Sequence, residues 1–134
     1  MALAWQFKRV DPAELLLAEK ALQQLWSEPA TVPALWYSEV ASGVLRGERQ
    51  GAISLTQSAF FLSELSHAEI VADELSPRAR QATVLDLARA YGLTAYDATY
   101  LELAMRRGAT LATFDRKLAV AARAAGVRVF GDMV

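Results

Sequence analysis

The sequence predicts an α/β domain in which a short, mostly parallel central sheet carries helices on both faces. Three observations predict it. Short apolar segments such as Ala30-Thr31-Val32 and Leu111-Ala112-Thr113 alternate with longer helix-forming stretches, which is the pattern of βαβ units. Ala and Leu dominate the composition, and they are among the strongest helix formers. Breaks are brief (Asp11-Pro12, Glu28-Pro29, Gly51, Ser76-Pro77, Gly92, Gly108, Gly126), with no linker, repeat or low-complexity tract between them. One domain over residues 1–134 is therefore expected.

The elements follow those breaks. Asp11-Pro12 opens a helix to about Trp26, with Pro early in the first turn where its missing donor is harmless. Leu15, Ala18, Leu22 and Leu25 form its apolar stripe. Ala30 to Val32 reads as a short strand, and Pro33 starts a second helix to about Gln50, stopped by Gly51. Ser54 caps a third helix to about Leu65, and Glu69 to Ala72 is a weak strand. Ser76-Pro77 starts a fourth helix, stopped by Gly92; Thr94 caps a fifth, stopped by Gly108. Ala109 to Thr113 reads as a buried strand, Asp115 to Ala125 as a sixth helix, and Val127 to Phe130 as a last strand. In such sheets ligands bind beyond the carboxyl ends of the strands. That points to the residues just after Val32, Ala72, Thr113 and Phe130.

Composition narrows the chemistry. The chain has 134 residues with 54% hydrophobic and 22% charged, so it is not a disordered tail. It has no Cys, which excludes a disulfide scaffold, a zinc finger, an iron–sulfur cluster and thiol catalysis. A formal net charge of −1 excludes a strongly basic nucleic-acid coat but not a local basic patch. Gln6, Lys8, Arg9 and Asp11 interrupt the apolar start too early for a secretory signal. No stretch nears the ~20 apolar residues of a membrane span. A cysteine-free chain agrees with the reducing cytoplasm. No Gly-x-Gly-x-x-Gly, Walker loop or Gly-x-Ser-x-Gly elbow occurs. The single histidine, His67, lies in a polar segment, reads as a surface residue, and rules out a His-based metal triad.

Site chemistry is thereby left to carboxylates. Glu39 lies between Trp36 and Val40 at the edge of a helical apolar stripe, with Ser42 and Gly43 one turn on; it is a stripe-edge Glu or a site acid. Asp97 is either the far end of a Thr94-x-x-Asp97 capping box or a site acid flanked by Tyr96 and Tyr100. Asp115 is an N-cap or a site acid at a strand's carboxyl end, with Thr113 two residues before it as a helper. If the three acids meet, their repulsion raises their pKa values and a divalent cation relieves it. Oxygen-only ligation suits Mg²⁺ or Mn²⁺, and metal-assisted phosphodiester hydrolysis is the natural reaction. Arg46, Arg49, Arg106, Arg107, Arg116 and Lys117 could line an RNA path. Most of them read as a solvated face; Arg116 and Lys117, beside Asp115, are the ones favoured for RNA.

Several segments resemble one family. Gly92-Leu93-Thr94-Ala95-Tyr96-Asp97-Ala98-Thr99-Tyr100-Leu101-Glu102-Leu103-Ala104 resembles the third-acid segment of PIN-domain ribonucleases. Leu111-Ala112-Thr113-Phe114-Asp115-Arg116-Lys117-Leu118 resembles their fourth-acid segment, and Val32-Pro33 through Trp36-Tyr37-Ser38-Glu39-Val40-Ala41 the second-acid helix. The closing Ala122-Arg123-Ala124-Ala125-Gly126-Val127 also fits. The resemblance spans essentially the whole chain and is strongest to VapC-like toxins of toxin–antitoxin pairs. It implies a three-layer α/β/α fold and an acidic site holding Mg²⁺ or Mn²⁺, here Glu39, Asp97 and Asp115 with Thr113. It further implies cleavage of single-stranded RNA, a homodimer and inhibition by a cognate antitoxin. The family begins with a strand ending in an Asp, within a stretch such as Asp-x-Ser-x-Ala-Leu-Ala-Trp; Met1-Ala2-Leu3-Ala4-Trp5 matches only its latter part. The first strand and first acid are thus expected to be absent, with Met1 an internal methionine of the natural protein. Weak metal binding and little nuclease activity are expected of a chain without them. The alternative is a PIN-like module that binds an antitoxin or a second copy and cuts nothing; a plain α/β domain whose acids are only caps is a third reading.

Overall fold

The computed structural model describes residues 3–5 and 29–130. In chain order it runs β1 (Leu3–Trp5), β2 (Ala30–Val32), α1 (Leu35–Arg49), α2 (Leu55–His67), β3 (Ile70–Ala72), α3 (Pro77–Tyr91), α4 (Ala95–Arg107), β4 (Thr110–Ala112) and α5 (Arg116–Ala124). The helix expected from Asp11 to Trp26 lies outside the described residues. Among those described, no helix is long and apolar enough to cross a membrane.

The helix boundaries come from local hydrogen bonding. Ser54 and Gln57 form a full capping box at the start of α2. The Ser76 and Thr94 hydroxyls accept from the backbone N–H groups of Ala79 and Asp97 at the starts of α3 and α4. Gly92 and Gly108 end these two helices in the left-handed conformation, at φ +63° and +59°. Helix α1 begins two residues later than expected, because Pro33 and Ala34 form a turn in which the Pro33 carbonyl accepts from Trp36 N–H. Its buried face is Trp36, Val40, Gly43, Val44 and Gly47, a helical repeat in which the two glycines keep that face thin.

The sheet order is β3-β2-β1-β4, with every pair parallel. The expectation of an absent first strand is corrected: Leu3–Trp5 fills the place between β2 and β4. Leu3 and Ala4 register with Ala30 and Thr31 on one side, and Leu3, Ala4 and Trp5 with Thr110, Leu111 and Ala112 on the other. Without it the facing backbone groups of β2 and β4 would lose partners, at about 1–3 kcal/mol for each buried dry; three residues suffice to satisfy them. The expected last strand is reduced to one parallel bridge, Val129 to Leu111, with Leu111 N–H donating to Arg128 O and Phe130 N–H to Leu111 O, both at 2.8 Å.

The core joins α1 and α2 (Trp36, Val40, Phe61, Leu65) to α4, β4 and α5 (Leu101, Leu103, Leu111, Leu118) in one cluster. Helix α4 packs against β1, β4, α3 and α5. It is buried from Asp97 through Ala104 except at Thr99, so polar groups on it must find partners.

Candidate active site

Strands β1, β2 and β3 progress in one direction across the sheet, whereas β4 adds on the other side of β1. The strand order therefore reverses between β1 and β4. In open parallel sheets that reversal leaves a crevice at the strands' carboxyl ends. Thr113 and Asp115 follow directly from β4 at this edge.

Asp115 is the N-cap of α5: its Oδ1 accepts from Leu118 N–H at 3.0 Å, while its own N–H donates to Thr113 Oγ1 at 3.0 Å. Thr113 is fully buried and Asp115 is 4% exposed. The capping reading of Asp115 is thus realised, and Thr113 fixes the turn that presents it.

Asp97 lies in the first turn of α4, 3% exposed, with its N–H bonded to Thr94 Oγ1 at 3.1 Å. A buried carboxylate there is stabilised by the positive end of the helix. One turn on, Tyr100 is fully buried, and its hydroxyl donates to Glu39 Oε1 on α1. Burial, the hydrogen bond to Glu39 and the charges of Glu39 and Asp97 push the Tyr100 phenol well above its ordinary value of 10. It therefore keeps its proton and acts as a donor. One phenol thus senses two of the predicted acids, from two helices.

No group of three or more His, Cys, Asp or Glu side chains able to hold a metal ion occurs among the described residues. Tyr100 hydrogen-bonds Glu39 and lies one turn after Asp97 on α4, and Thr113 accepts from the Asp115 N–H; the three acids are not gathered into one metal-holding group. The donor chemistry still fits a hard cation, since every candidate ligand is an oxygen. Mg²⁺ commonly uses only one or two carboxylates, completed by waters and substrate phosphates.

A second charged cluster went unpredicted. Asp73, just after β3, and Glu102 on α4 share Arg80 and Arg106. Arg80 pairs with Asp73 at hydrogen-bond distance and with Glu102 at 3.6 Å; Arg106 meets Asp73 at 2.5 Å and Glu102 at 2.7 Å. Burial pushes the Asp73 carboxyl up, but hydrogen bonds from Arg106 and the Leu75 N–H, with the charges of Arg106 and Arg80, outweigh it and hold it below its ordinary 3.8. Glu102 lies two residues after Tyr100 on α4, so this cluster is anchored on the helix that carries the candidate site. Only its helical spacing (Pro77, Arg80, Val84) hinted that Arg80 faces inward.

Arg106, one of the cations named for an RNA path, is held by these two acids. Arg107 reaches Thr31 Oγ1 at 3.4 Å. Arg46 and Arg49 end α1 and Arg106 and Arg107 end α4, where the helix dipole favours cations. Arg116 and Lys117 differ: they are exposed in the first turn of α5, where the dipole disfavours them. His67 is exposed, with Nδ1 2.8 Å from Ser63 O, as a surface residue should be.

A search of curated proteins finds no match. The fold resembles the crystal structure of PAE2754 from Pyrobaculum aerophilum at a TM-score of 0.65 and 22% sequence identity, covering 90% of this chain and 86% of that one. The PIN domain family model matches residues 4–124. PIN domains are generally nucleases that use divalent metal ions. Since that match spans nearly all of the sequence, including Glu39, Asp97 and Asp115, the chain belongs to the PIN domain family.

Proposed function

We propose that this protein is a metal-dependent endoribonuclease acting on single-stranded RNA in the cytoplasm, the VapC-like toxin of a toxin–antitoxin pair. The observation that carries this is the PIN family match across residues 4–124, which includes Glu39, Asp97 and Asp115, together with the hydrogen bond that ties Glu39 to Tyr100 on the helix carrying Asp97. Glu39 and Asp97 would hold Mg²⁺ or Mn²⁺, with Asp115 and Thr113 at the carboxyl end of β4 as further oxygen donors. The cation, when bound, supplies Lewis-acid stabilisation of charge on the phosphodiester. Arg116 and Lys117, cations placed against the helix dipole, bind substrate phosphates and orient the strand beside Asp115. Fluorescent single-stranded RNA incubated with Mg²⁺ or Mn²⁺ is the test. Weak cleavage, in keeping with the missing first acid, that disappears with chelator and in Asp97→Asn is expected; a folded wild-type chain that cleaves nothing refutes this reading.

A second reading, a PIN-like module that binds an antitoxin or a second copy without cutting, is favoured by a specific surface. An apolar groove of about 660 Å³ runs between α1 and α2, lined by Trp36, Tyr37, Val40, Val44, Leu62 and Leu65. Tyr37, Phe60 and Leu62 on these helices are about half exposed, and exposed apolar patches mark interaction sites. Tight binding of a protein encoded by a small neighbouring gene, with no RNA cleavage before or after its removal, would select this reading.

A further inference from the structure

Tyr100 occupies an unusual position for a polar side chain. Its ring is fully buried as part of the core cluster. Its hydroxyl nevertheless leaves that core to meet Glu39, 61 positions away in sequence and on another helix. A buried tyrosine has two side-chain torsions, both fixed here by packing, so the hydroxyl is a stationary donor. Glu39, with three torsions and partial exposure, has more rotamer freedom to lose than the buried tyrosine. The bond therefore transfers the rigidity of the core to the carboxylate. Asp97 lies one turn before Tyr100 on the same helix, so one helix supplies both an acid and the anchor for the other acid.

We propose that Tyr100 is a positioning residue: its hydroxyl holds the Glu39 carboxylate in the orientation that receives the divalent cation. This rests on the metal-dependent reading above. Groups that orient a metal ligand typically change metal affinity by roughly 10–100-fold when removed. Nothing in the step requires Tyr100 to touch metal or RNA.

The test is Mn²⁺ binding by titration calorimetry on the wild-type chain, Tyr100→Phe, Glu39→Gln and the double variant, each checked for a native circular dichroism spectrum. Tyr100→Phe removes one oxygen and keeps the buried ring. It is expected to weaken Mn²⁺ binding at least roughly tenfold, and to add little once Glu39→Gln is present, because the two act as one unit. Wild-type affinity in Tyr100→Phe, or an equal loss in both backgrounds, overturns the positioning role while leaving the metal reading intact. Failure of the wild-type chain to bind Mn²⁺ at all overturns the metal reading and this role with it. If Tyr100→Phe does not fold, infrared difference spectra of wild type against Glu39→Gln, recorded without metal, decide: a Glu39 carboxylate band shifted by a strong hydrogen bond supports the role, and a band at the position of a solvated carboxylate overturns it.

Discussion

Replacing Arg80 by Met tests how far the buried charge cluster supports the fold. The Arg80 side chain is 4% exposed, and its partners Asp73 and Glu102 are 2% and 5% exposed. Met fills much of the same volume, so the change is chiefly electrostatic. Removing one partner of a buried pair usually costs about 3–5 kcal/mol, because the other charge stays buried without compensation. Here Arg106 remains, at 2.5 Å from Asp73 and 2.7 Å from Glu102. One cation then serves two buried carboxylates, which argues for the lower end, about 3 kcal/mol. With an unfolding entropy of about 2 cal/mol/K per residue, a chain of this length loses about 10 °C in Tm. The assay is thermal unfolding followed by far-ultraviolet circular dichroism at neutral pH. Adding Asp73→Asn restores the charge balance and should recover part of the loss, a coupling that two independent sites would not show. A Tm drop below about 3 °C, or strict additivity with Asp73→Asn, would refute the reasoning: the cluster would then behave like solvent-screened surface pairs.

The other predictions concern Asp73 and the basic pair of α5. The folded pKa of Asp73 is depressed below the unfolded 3.8, so its contribution to stability is complete above that value and fades as the pH falls through it towards the folded pKa. Melting curves through this acid range should show a steeper loss of Tm for wild type than for Asp73→Asn; parallel curves would dismiss the effect. For Arg116 and Lys117, replacing both by Gln should weaken single-stranded RNA binding and flatten the dependence of log affinity on log salt by about 1.4, two contacts at about 0.7 each. An unchanged slope would remove both residues from the RNA path.

Much of the fold was legible because its signals are short in range. Ser54, Ser76, Thr94 and Asp115 announce helix starts through side chains that bond the backbone three residues on. Gly92 and Gly108 announce helix ends because each adopts a positive φ there. The strands Ala30–Val32 and Thr110–Ala112 were visible as apolar, turn-bounded runs. The first strand was misjudged for the opposite reason. Leu3–Trp5 is too short to carry a periodic pattern, and it is a strand because β2 and β4 offer it two rows of backbone partners. The last strand shrank to a bridge because only the backbone beside Val129 lies against Leu111.

The candidate site divides along the same line. Residue type and local context raised Glu39, Asp97, Asp115 and Thr113 as candidates, since a chain without Cys and with one His can offer a cation only oxygens, and the resemblance to PIN domains favoured them over caps. The cap that presents Asp115 and the helix turn that carries Asp97 are also local, closed within three residues. Sequence could not say that Tyr100 reaches Glu39 across 61 positions, or that Arg106 answers to Asp73 instead of to solvent. Those pairings exist because packing α4 into the centre of the fold buries its polar groups, and a buried charge or hydroxyl is tolerable only beside a partner that the tertiary structure brings to it.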